Sequence, residues 1–342
     1  MKLFENIVGQ ERAKRKMEFL LQGYNATGVM PHLMFIAPKG CGKTTMAKAM
    51  ARQLESEVNV GKPKPFIEIN CSTIKGVKQF FNQIVIPRMM GGQKITLLFD
   101  ECSELPRELT MALLTILNPN KENKNKFTYE EAEVEFDFSK QTFMFATTEA
   151  QSVFHALMDR CERLDLEEYS LDHLATIITN SLNEISFDKN VLPRISPVLR
   201  GNARSAQKMA NHIHLFLKCK GQKFFGQTEW DELTEALGIL PLGLNSIELQ
   251  VLKALEGSNG CTLTNIAAKV GLSRSCVQRD FELYLLKLNL IEIGVGGRRL
   301  TMRGITYLKA MQPPPVKPLV AEEAPAATWS ATTLANTPAP VC

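Results

Sequence analysis

The sequence has 342 residues, 44% of them hydrophobic, and a formal net charge of +4 at pH 7. This length predicts two or three domains with packed cores, and no run approaches the roughly 18 apolar residues that a membrane span needs. The charged N-terminus lacks a signal-peptide core, and the eight scattered cysteines lack zinc-type spacing. These features argue against a membrane protein or a disulfide framework, and they predict reduced thiols and a cytoplasmic location.

A strand, a glycine-containing loop and a helix are predicted in succession between residues 32 and 50. The apolar run Leu33–Ile36 precedes the loop, and the helical pattern begins at Thr45. In such a loop the backbone N–H groups and the helix N-terminus face phosphates, Lys43 adds charge and Thr44 holds Mg²⁺. The predicted nucleotide-binding residues of this segment are Pro38, Lys39, Gly40, Cys41, Gly42, Lys43, Thr44 and Thr45.

The loop departs from the usual G-x-x-x-x-G-K-[ST] pattern because Ala37 occupies the first glycine position. An alanine fits there if the position requires only a negative φ. The alternative interpretation is a glycine turn that binds no ligand.

A second predicted strand, Ile95–Phe99, leads directly into two carboxylates, Asp100 and Glu101. Its apolar run is typical of a strand buried on both faces. At the end of such a strand, Asp100 can order the water shell of Mg²⁺ while Glu101 polarises an attacking water. A solvated acidic turn is the alternative.

The predicted elements divide the chain into four regions. Residues 1–169 alternate strands and helices, which predicts an α/β domain with a parallel sheet covered by helices. Residues 170–243 have helical apolar spacing and predict a small all-α domain. Residues 244–312 form a third domain, and residues 313–342 are a Pro/Ala/Thr-rich tail that is predicted to be disordered.

The third domain has the pattern of a winged helix. Two amphipathic helices are separated by the turn Gly271–Leu272 from a third helix, which Ser273 caps. A predicted hairpin with its tip at residues 294–298 would be the wing. With nine basic and five acidic residues, the domain carries a net +4 that favours nucleic acid; a protein-docking module is the alternative. The predicted DNA-binding residues are Arg274, Arg279, Arg298 and Arg299.

The joint order of these motifs resembles the AAA+ ATPases. The motifs are Ile7–Gln10, the phosphate loop, Asp100–Glu101, Ala146–Thr148, Asp159–Cys161, Gly201–Arg204 and the winged helix. Within AAA+ ATPases the sequence is most similar to the RuvB family, the motors of Holliday junction branch migration, over roughly residues 4–310. The resemblance implies an AAA+ sheet domain, a helical lid domain and a winged helix, with ATP and Mg²⁺ as ligands.

The resemblance also implies roles for individual residues. Ile7 and Val8 would line the adenine pocket, and Thr148, with Thr147 as the alternative, would be the sensor at the end of the fourth strand. Arg204 would report nucleotide state to the lid. Arg160 would be an arginine finger that completes a neighbouring subunit's site, because a guanidinium stabilises the charge that phosphoryl transfer builds. Lys43, Glu101 and Arg160 are therefore the predicted catalytic residues.

Two alternatives to these roles stay open. Arg160 could instead form a surface ion pair with Asp159 or Glu162, and Arg204 could be a surface charge of the lid.

The sequence also departs from RuvB. Lys39 replaces a usual proline, and Asp159–Cys161 is closer to the clamp-loader form of the finger motif. The polar segment 118–129 shows no apolar tip to match the hairpin on which RuvB docks its partner RuvA, so a RuvA-like partner is left open. This mixed pattern suits a divergent relative, such as one encoded by a phage.

The leading hypothesis is an ATP-dependent, RuvB-type DNA motor that works as a homo-oligomeric ring, expected to be a hexamer, on branched or duplex DNA. An AAA+ initiator or loader, which switches on DNA without processive movement, is the alternative. A protein remodeller is a third hypothesis.

Overall fold

The computed structural model describes residues 3–55, 61–89, 93–118, 126–129, 134–138 and 141–311. The chain divides into two compact units between Asn245 and Ser246. The predicted disordered tail, residues 313–342, lies outside the described residues.

A five-stranded parallel sheet organises the first unit. Its strands are β1 (Leu33–Ile36), β2 (Phe66–Asn70), β3 (Thr96–Asp100), β6 (Thr142–Thr147) and β7 (Glu162–Asp165). Their order in the sheet is β2-β3-β6-β1-β7. The first four match the strands expected from apolar runs. Strand β7 was not predicted, because only Leu164 of its four residues is buried and no apolar run marks it. It pairs with β1 and forms one of the two edges of the sheet.

Helices cover both faces of this sheet, which confirms the predicted α/β class. They are α1 (Glu11–Thr27), α2 (Lys43–Ala51), α3 (Val77–Phe80), α4 (Ile86–Met89), α5 (Arg107–Ile116) and α6 (His155–Met158), with a π-helical segment Phe81–Val85 joining α3 to α4.

Alternate residues of the strands enter two separate cores. Phe143 and Phe145 pack into one core and Met144 and Ala146 into the other. A strand covered on both faces has no polar face, and this is why β6 is buried along its whole length.

A small antiparallel hairpin lies between α5 and β6. It pairs β4 (Lys126–Tyr129) with β5 (Val134–Asp137). The polar sequence of 118–129 predicted the absence of an apolar docking tip. Strand β4 forms the end of that segment, and residues 119–125 lie outside the described residues.

Four helices form the lid region of the first unit. They are α7 (Leu171–Ser181), α8 (Leu192–Val198), α9 (Ala203–Lys220) and α10 (Gln227–Leu237). Two short strands, β8 (Ser186–Phe187) and β9 (Phe224–Phe225), pair in parallel, so the all-α prediction for this region was wrong in this detail. The lid's Leu174, Ala206 and Ile213 share one core with Met46 and Met50 of α2.

The second unit is the predicted winged helix. Its helices are α11 (Ser246–Ala254), α12 (Leu263–Val270), a continuous helical run from Arg274 to Lys287 and α15 (Met302–Met311). That run comprises α13 (Arg274–Cys276), a π-helical segment Val277–Glu282 and α14 (Leu283–Lys287). Gly271 ends α12 with φ +75°, and the Ser273 hydroxyl accepts a hydrogen bond from the Cys276 N–H, as the turn and cap predictions required.

The wing consists of β10 (Ile291–Gly294) and β11 (Gly297–Leu300), joined by a two-residue turn. Val295 in that turn is fully exposed. Gly297 has φ +106°, and a Cβ there would lie 2.3 Å from the Cys261 carbonyl oxygen, so only glycine lets the wing approach that segment.

Arg298 does not occupy the wing tip, contrary to the sequence prediction. It lies within β11, and its guanidinium donates twice to the carboxylate of Glu282. The Glu282 side chain is only 4% exposed and that of Arg298 17%. The pair spans the wing and the helical run, and this structural contact is the physical reason to remove Arg298 from the predicted DNA-binding surface.

We expect Arg298→Ala to destabilise the winged helix by about 3–5 kcal/mol, because it leaves the buried Glu282 carboxylate without its partner. Arg299→Ala is the matched control. Arg299 is paired with Glu292 but is exposed, so its loss should change stability by about 0.5 kcal/mol or less. Hydrogen exchange of amides in residues 263–311 measures both, and equal protection in the two variants would contradict the assignment.

Candidate nucleotide site and nucleic-acid surface

A cavity of about 350 Å³ lies at the carboxyl edge of the sheet. Its walls come from the N-terminal segment, the phosphate loop, the end of β3 and the lid. The lining residues are Asn6, Ile7, Val8, Lys39, Gly40, Gly42, Lys43, Thr44, Thr45, Met46, Asp100, Glu101, Tyr169, Ile177, Asn180, Ser181, Ala203, Arg204 and Gln207.

Most of the predicted nucleotide-binding residues line this one cavity. Pro38, Cys41 and Thr148 do not, and Cys41 is buried in the core instead. The apolar spacing of α7 predicted a helix, but only its packing reveals which face meets the cavity. The lining residues that the sequence did not predict include Asn6, Tyr169 and the lid residues Ile177, Asn180, Ser181 and Gln207.

The phosphate loop has the backbone geometry that phosphate binding requires. Gly40 and Gly42 have φ values of +80° and +92°, which L-residues with side chains rarely adopt. Ala37 is not among the described residues with positive φ, and its side chain is buried. Alanine therefore fits the first glycine position without backbone strain, which agrees with the expectation that this position requires only a negative φ.

Lys43 begins α2 within this loop and is 7% exposed. Its ammonium donates to the carbonyl oxygens of Ala37 at 3.1 Å and Pro38 at 3.4 Å. Burial lowers the pKa of Lys43, while the carboxylates of Glu101 and Asp100 act in the opposite direction. The Lys43 ammonium is thus a cation at the N-terminus of α2, close to two carboxylates. The helix dipole at that N-terminus likewise favours the binding of an anion.

The first turn of α2 is joined to the end of β3 by a hydrogen bond. The Thr44 hydroxyl donates to Asp100 Oδ2 at 3.2 Å, and Asp100 Oδ1 accepts from the Glu101 N–H at 3.1 Å. A hydroxyl and a carboxylate in contact are oxygen ligands of the kind Mg²⁺ takes. These residues thus fit the predicted metal-binding pair.

Glu101 follows β3 in a left-handed conformation, with φ +54° and ψ +52°. Such a conformation is costly for a residue with a side chain and is concentrated at functional sites. Here it turns the chain directly after the strand, and the Glu101 carboxylate lines the cavity.

The two candidate sensor threonines differ in their contacts. The Thr147 hydroxyl is fully buried and accepts from the Glu149 N–H at 2.9 Å. The Thr148 hydroxyl lies 3.5 Å from Glu101 Oε2. This contact is long for a hydrogen bond, and such contacts often tighten only when substrate binds. The geometry favours Thr148, which faces the candidate base.

The lid contacts the phosphate loop through the start of α9. The side chain of Asn202 caps this helix and also donates to the Lys39 carbonyl oxygen at 3.0 Å. Two residues on, Arg204 is exposed and lines the cavity. A second connection fixes the N-terminal segment: the Gln10 side chain both donates to and accepts from the Glu167 backbone.

Arg160 does not line the cavity of its own chain. Its guanidinium donates to the carbonyl oxygens of Leu114 at 3.2 Å and Ala156 at 2.8 Å. The ion pairs offered as its alternative do not form: Asp159 pairs with His155, and Glu162 with Lys16. Two backbone contacts therefore hold the partly buried guanidinium in place.

Three of the four predicted DNA-binding arginines are exposed. Arg274 opens the helical run after the Ser273 cap, and Arg279 lies further along it. Arg299 is on the wing and pairs across the two strands with Glu292. Arg279 pairs with the adjacent Asp280.

The chain matches two protein families in succession. Residues 33–169 match the ATPase family associated with various cellular activities (AAA), and residues 241–309 match the RuvB C-terminal winged helix domain. Together the matches cover more than half of the chain.

Curated relatives and solved structures extend the similarity to nearly the full chain. The chain is 26% identical over 320 residues to the Holliday junction branch migration complex subunit RuvB of a Nitratiruptor species, covering 90% of each sequence. It is also 26% identical to the RuvB subunit of Ehrlichia canis, over 90% of this chain and 92% of that one. The Thermotoga maritima RuvB Holliday junction branch migration motor shares the fold, with a TM-score of 0.71 at 21% identity over 90% of this chain and 97% of that one.

We expect Thr148→Val to lower the turnover number for nucleotide hydrolysis about 10- to 100-fold, the equivalent of one hydrogen bond of roughly 1.5–3 kcal/mol to a charged group. Nucleotide affinity should change little, because the hydroxyl faces Glu101. Thr148→Ser is the matched control and should retain most of the activity, since it keeps the hydroxyl. Steady-state hydrolysis and a fluorescent-nucleotide titration separate the two effects; an unchanged turnover number in Thr148→Val would contradict this role.

Proposed function

This chain is a RuvB-like AAA+ ATPase, and we therefore propose that it is a ring-forming, ATP-dependent motor that drives branch migration of Holliday junctions. The observation that carries the proposal is that one chain holds both a candidate nucleotide-hydrolysis cavity and a winged helix. That chain matches curated RuvB subunits over about nine-tenths of both lengths. The ring is expected to have six subunits, and its compartment is expected to be the cytoplasm. Across the described residues, the structure has no helix with the length and apolar character needed to cross a membrane.

The residues of the cavity support ATP and Mg²⁺ as its ligands. Lys43 and the N-terminus of α2 would hold the phosphates, and Ile7 and Val8 would contact the base. Thr44 and Asp100, already hydrogen-bonded to each other, would hold the metal. Bound Mg²⁺ supplies positive charge that neutralises the phosphate oxygens.

Glu101 is the proposed base that polarises the attacking water. Its left-handed backbone turns the chain at the end of β3, and the Thr148 hydroxyl, directly after the neighbouring strand β6, lies 3.5 Å from the Glu101 carboxylate. Because phosphoryl transfer is catalysed mainly by positioning and electrostatics, this fixed orientation is the main contribution of the pair.

Arg160 is the proposed arginine finger for an adjacent subunit. It lies outside the cavity of its own chain, while Leu114 and Ala156 restrain its guanidinium. A restrained cation loses little conformational entropy when a phosphate arrives at the subunit boundary. This arrangement supports hydrolysis that requires two neighbouring subunits, and hence a ring.

The winged helix is the proposed DNA-binding module. Arg274 and Arg279 on the helical run, with Arg299 on the wing, form the proposed phosphate-binding surface. Arg298 is left out, because its guanidinium holds Glu282. Contacts of this kind position a protein on DNA without reading its sequence, as a motor that moves along DNA requires.

The direct test is branch migration of a labelled synthetic four-way junction. We expect the wild-type protein to convert the junction to duplex products only with ATP and Mg²⁺. Lys43→Ala should abolish hydrolysis and conversion, since it removes the phosphate-binding cation, yet still bind the junction in a gel-shift assay. Rapid DNA-stimulated hydrolysis with no conversion, alone or with a junction-binding partner, would contradict the proposal and indicate an ATP switch.

Mixing experiments test the shared site. Arg160→Ala subunits mixed with wild type should reduce hydrolysis more than dilution does, because each variant subunit inactivates the site of its neighbour. Arg163→Ala is a matched control, since that arginine pairs with Asp165 within its own strand. A rate that falls in strict proportion to the wild-type fraction would rule out a finger at Arg160.

A further inference from the structure

The peptide between Lys39 and Gly40 is fixed from the lid side by one side chain. Asn202 Nδ2 donates to the Lys39 carbonyl oxygen at 3.0 Å, and the same residue caps α9 because its Oδ1 accepts from the Ser205 N–H at 3.1 Å. Both polar atoms of the amide are therefore used. One bonds the phosphate loop, and the other bonds the lid helix that carries Arg204.

The next peptide of the loop is held by the same helix. The Arg204 N–H donates to the Gly40 carbonyl oxygen at 3.4 Å. The N-terminus of α9 is thus joined to two consecutive carbonyl groups of the phosphate loop. This contact lies within the first compact unit of the chain.

The contact also leaves no room for a side chain at position 40. A Cβ on Gly40 would lie 2.1 Å from Asn202 Oδ1 and 2.5 Å from its Cγ and Nδ2. Gly40 therefore has two constraints, its φ of +80° and the close approach of Asn202. Residue 39 is a lysine and lacks the ring that fixes φ in proline. The backbone of the loop at this residue is therefore restrained from outside, by the contact with Asn202.

Peptide planarity links this contact to the cavity. In a trans peptide the C=O and N–H groups point in opposite directions. Asn202 holds the Lys39 carbonyl toward the lid, so the N–H of Gly40, a residue that lines the cavity, is directed away from Asn202. A hydrogen bond to the carbonyl also polarises the amide and strengthens its N–H as a donor.

We propose that Asn202 is a positioning residue that orients the Lys39–Gly40 peptide for phosphate binding and ties the lid helix of Arg204 to the phosphate loop. This inference rests on the proposed nucleotide site. Asn202 does not line the cavity and acts through the loop. Nucleotide affinity then depends on the lid as well as on the loop's own residues.

Two substitutions separate this role from simple helix capping. Asn202→Ser keeps a strong N-cap but loses the contact with Lys39, whereas Asn202→Ala loses both. We expect both variants to raise the Kd of a fluorescent ATP analogue by about three- to tenfold, the equivalent of one hydrogen bond. Only Asn202→Ala should lower the melting temperature of the first unit, followed through the buried Trp230.

Thr262→Ala is the matched control, because Thr262 caps α12 in the second unit through an equivalent hydrogen bond. It should leave the Kd unchanged. Wild-type affinity in Asn202→Ser would overturn the proposal. So would a Kd that rises only in Asn202→Ala, in step with its lower melting temperature, since Asn202 would then be a cap and nothing more.

These titrations need neither DNA nor a ring, which keeps the two proposals separable. Failure of branch migration in the wild type, with the expected Kd pattern at Asn202, would remove the motor function and leave the Asn202 assignment standing. The reverse result would remove only the role of Asn202.

Discussion

The hydrogen bond between Thr44 and Asp100 forms because the parallel sheet brings the ends of its strands together. In a parallel sheet the carboxyl ends of all strands meet at one edge, and the order β2-β3-β6-β1-β7 places β6 between β1 and β3. The phosphate loop follows β1, the two carboxylates lie at the end of β3, and the two candidate sensor threonines lie at the end of β6. Residues more than 100 positions apart in the chain therefore converge at one site without any local signal between them.

The lid completes this site from the opposite side. The start of helix α9 contacts the phosphate loop, because the Asn202 side chain donates to the Lys39 carbonyl and the Arg204 N–H donates to the Gly40 carbonyl. Arg204 also lines the cavity. Backbone carbonyls are invariant acceptors, so the contact depends on loop conformation and not on side-chain identity at Lys39. Gly40 permits it because it has no Cβ. The loop conformation and the lid position are thus mutually dependent.

In the second unit, burial decides what each arginine can do. Arg298 and Arg299 are neighbours on β11 and therefore point to opposite faces of the wing. One face packs against the helical run, where Glu282 holds Arg298, and the other is exposed, where Arg299 meets Glu292. Removing water from a charge requires a partner of opposite sign. The partly buried Arg298 consequently serves the fold through its pairing with the buried Glu282, and the exposed Arg299 remains accessible to a ligand.

Local chemistry within the sequence was sufficient to locate many of the elements. Apolar runs located four of the five strands of the parallel sheet, Gly40 and Gly42 identified the phosphate loop, and Ser273 marked the start of the helical run. The order of motifs also predicted the AAA+ and winged-helix folds. The signals for the strands, the loop and the cap depend on burial, glycine conformation or capping within a few residues. They can therefore be read from the sequence before the packing of the chain is known.

Which side chains meet became clear only from the packed chain. The packing distinguished Thr148 from Thr147 by their partners, paired Arg298 of the predicted DNA-binding set with Glu282, and revealed strand β7, which has a single buried residue. It also brought Asn202 to a loop some 160 positions earlier in the chain, in a contact that no spacing encodes. These features depend on register, on the face that a helix buries and on long-range packing, and a linear pattern does not fix those quantities.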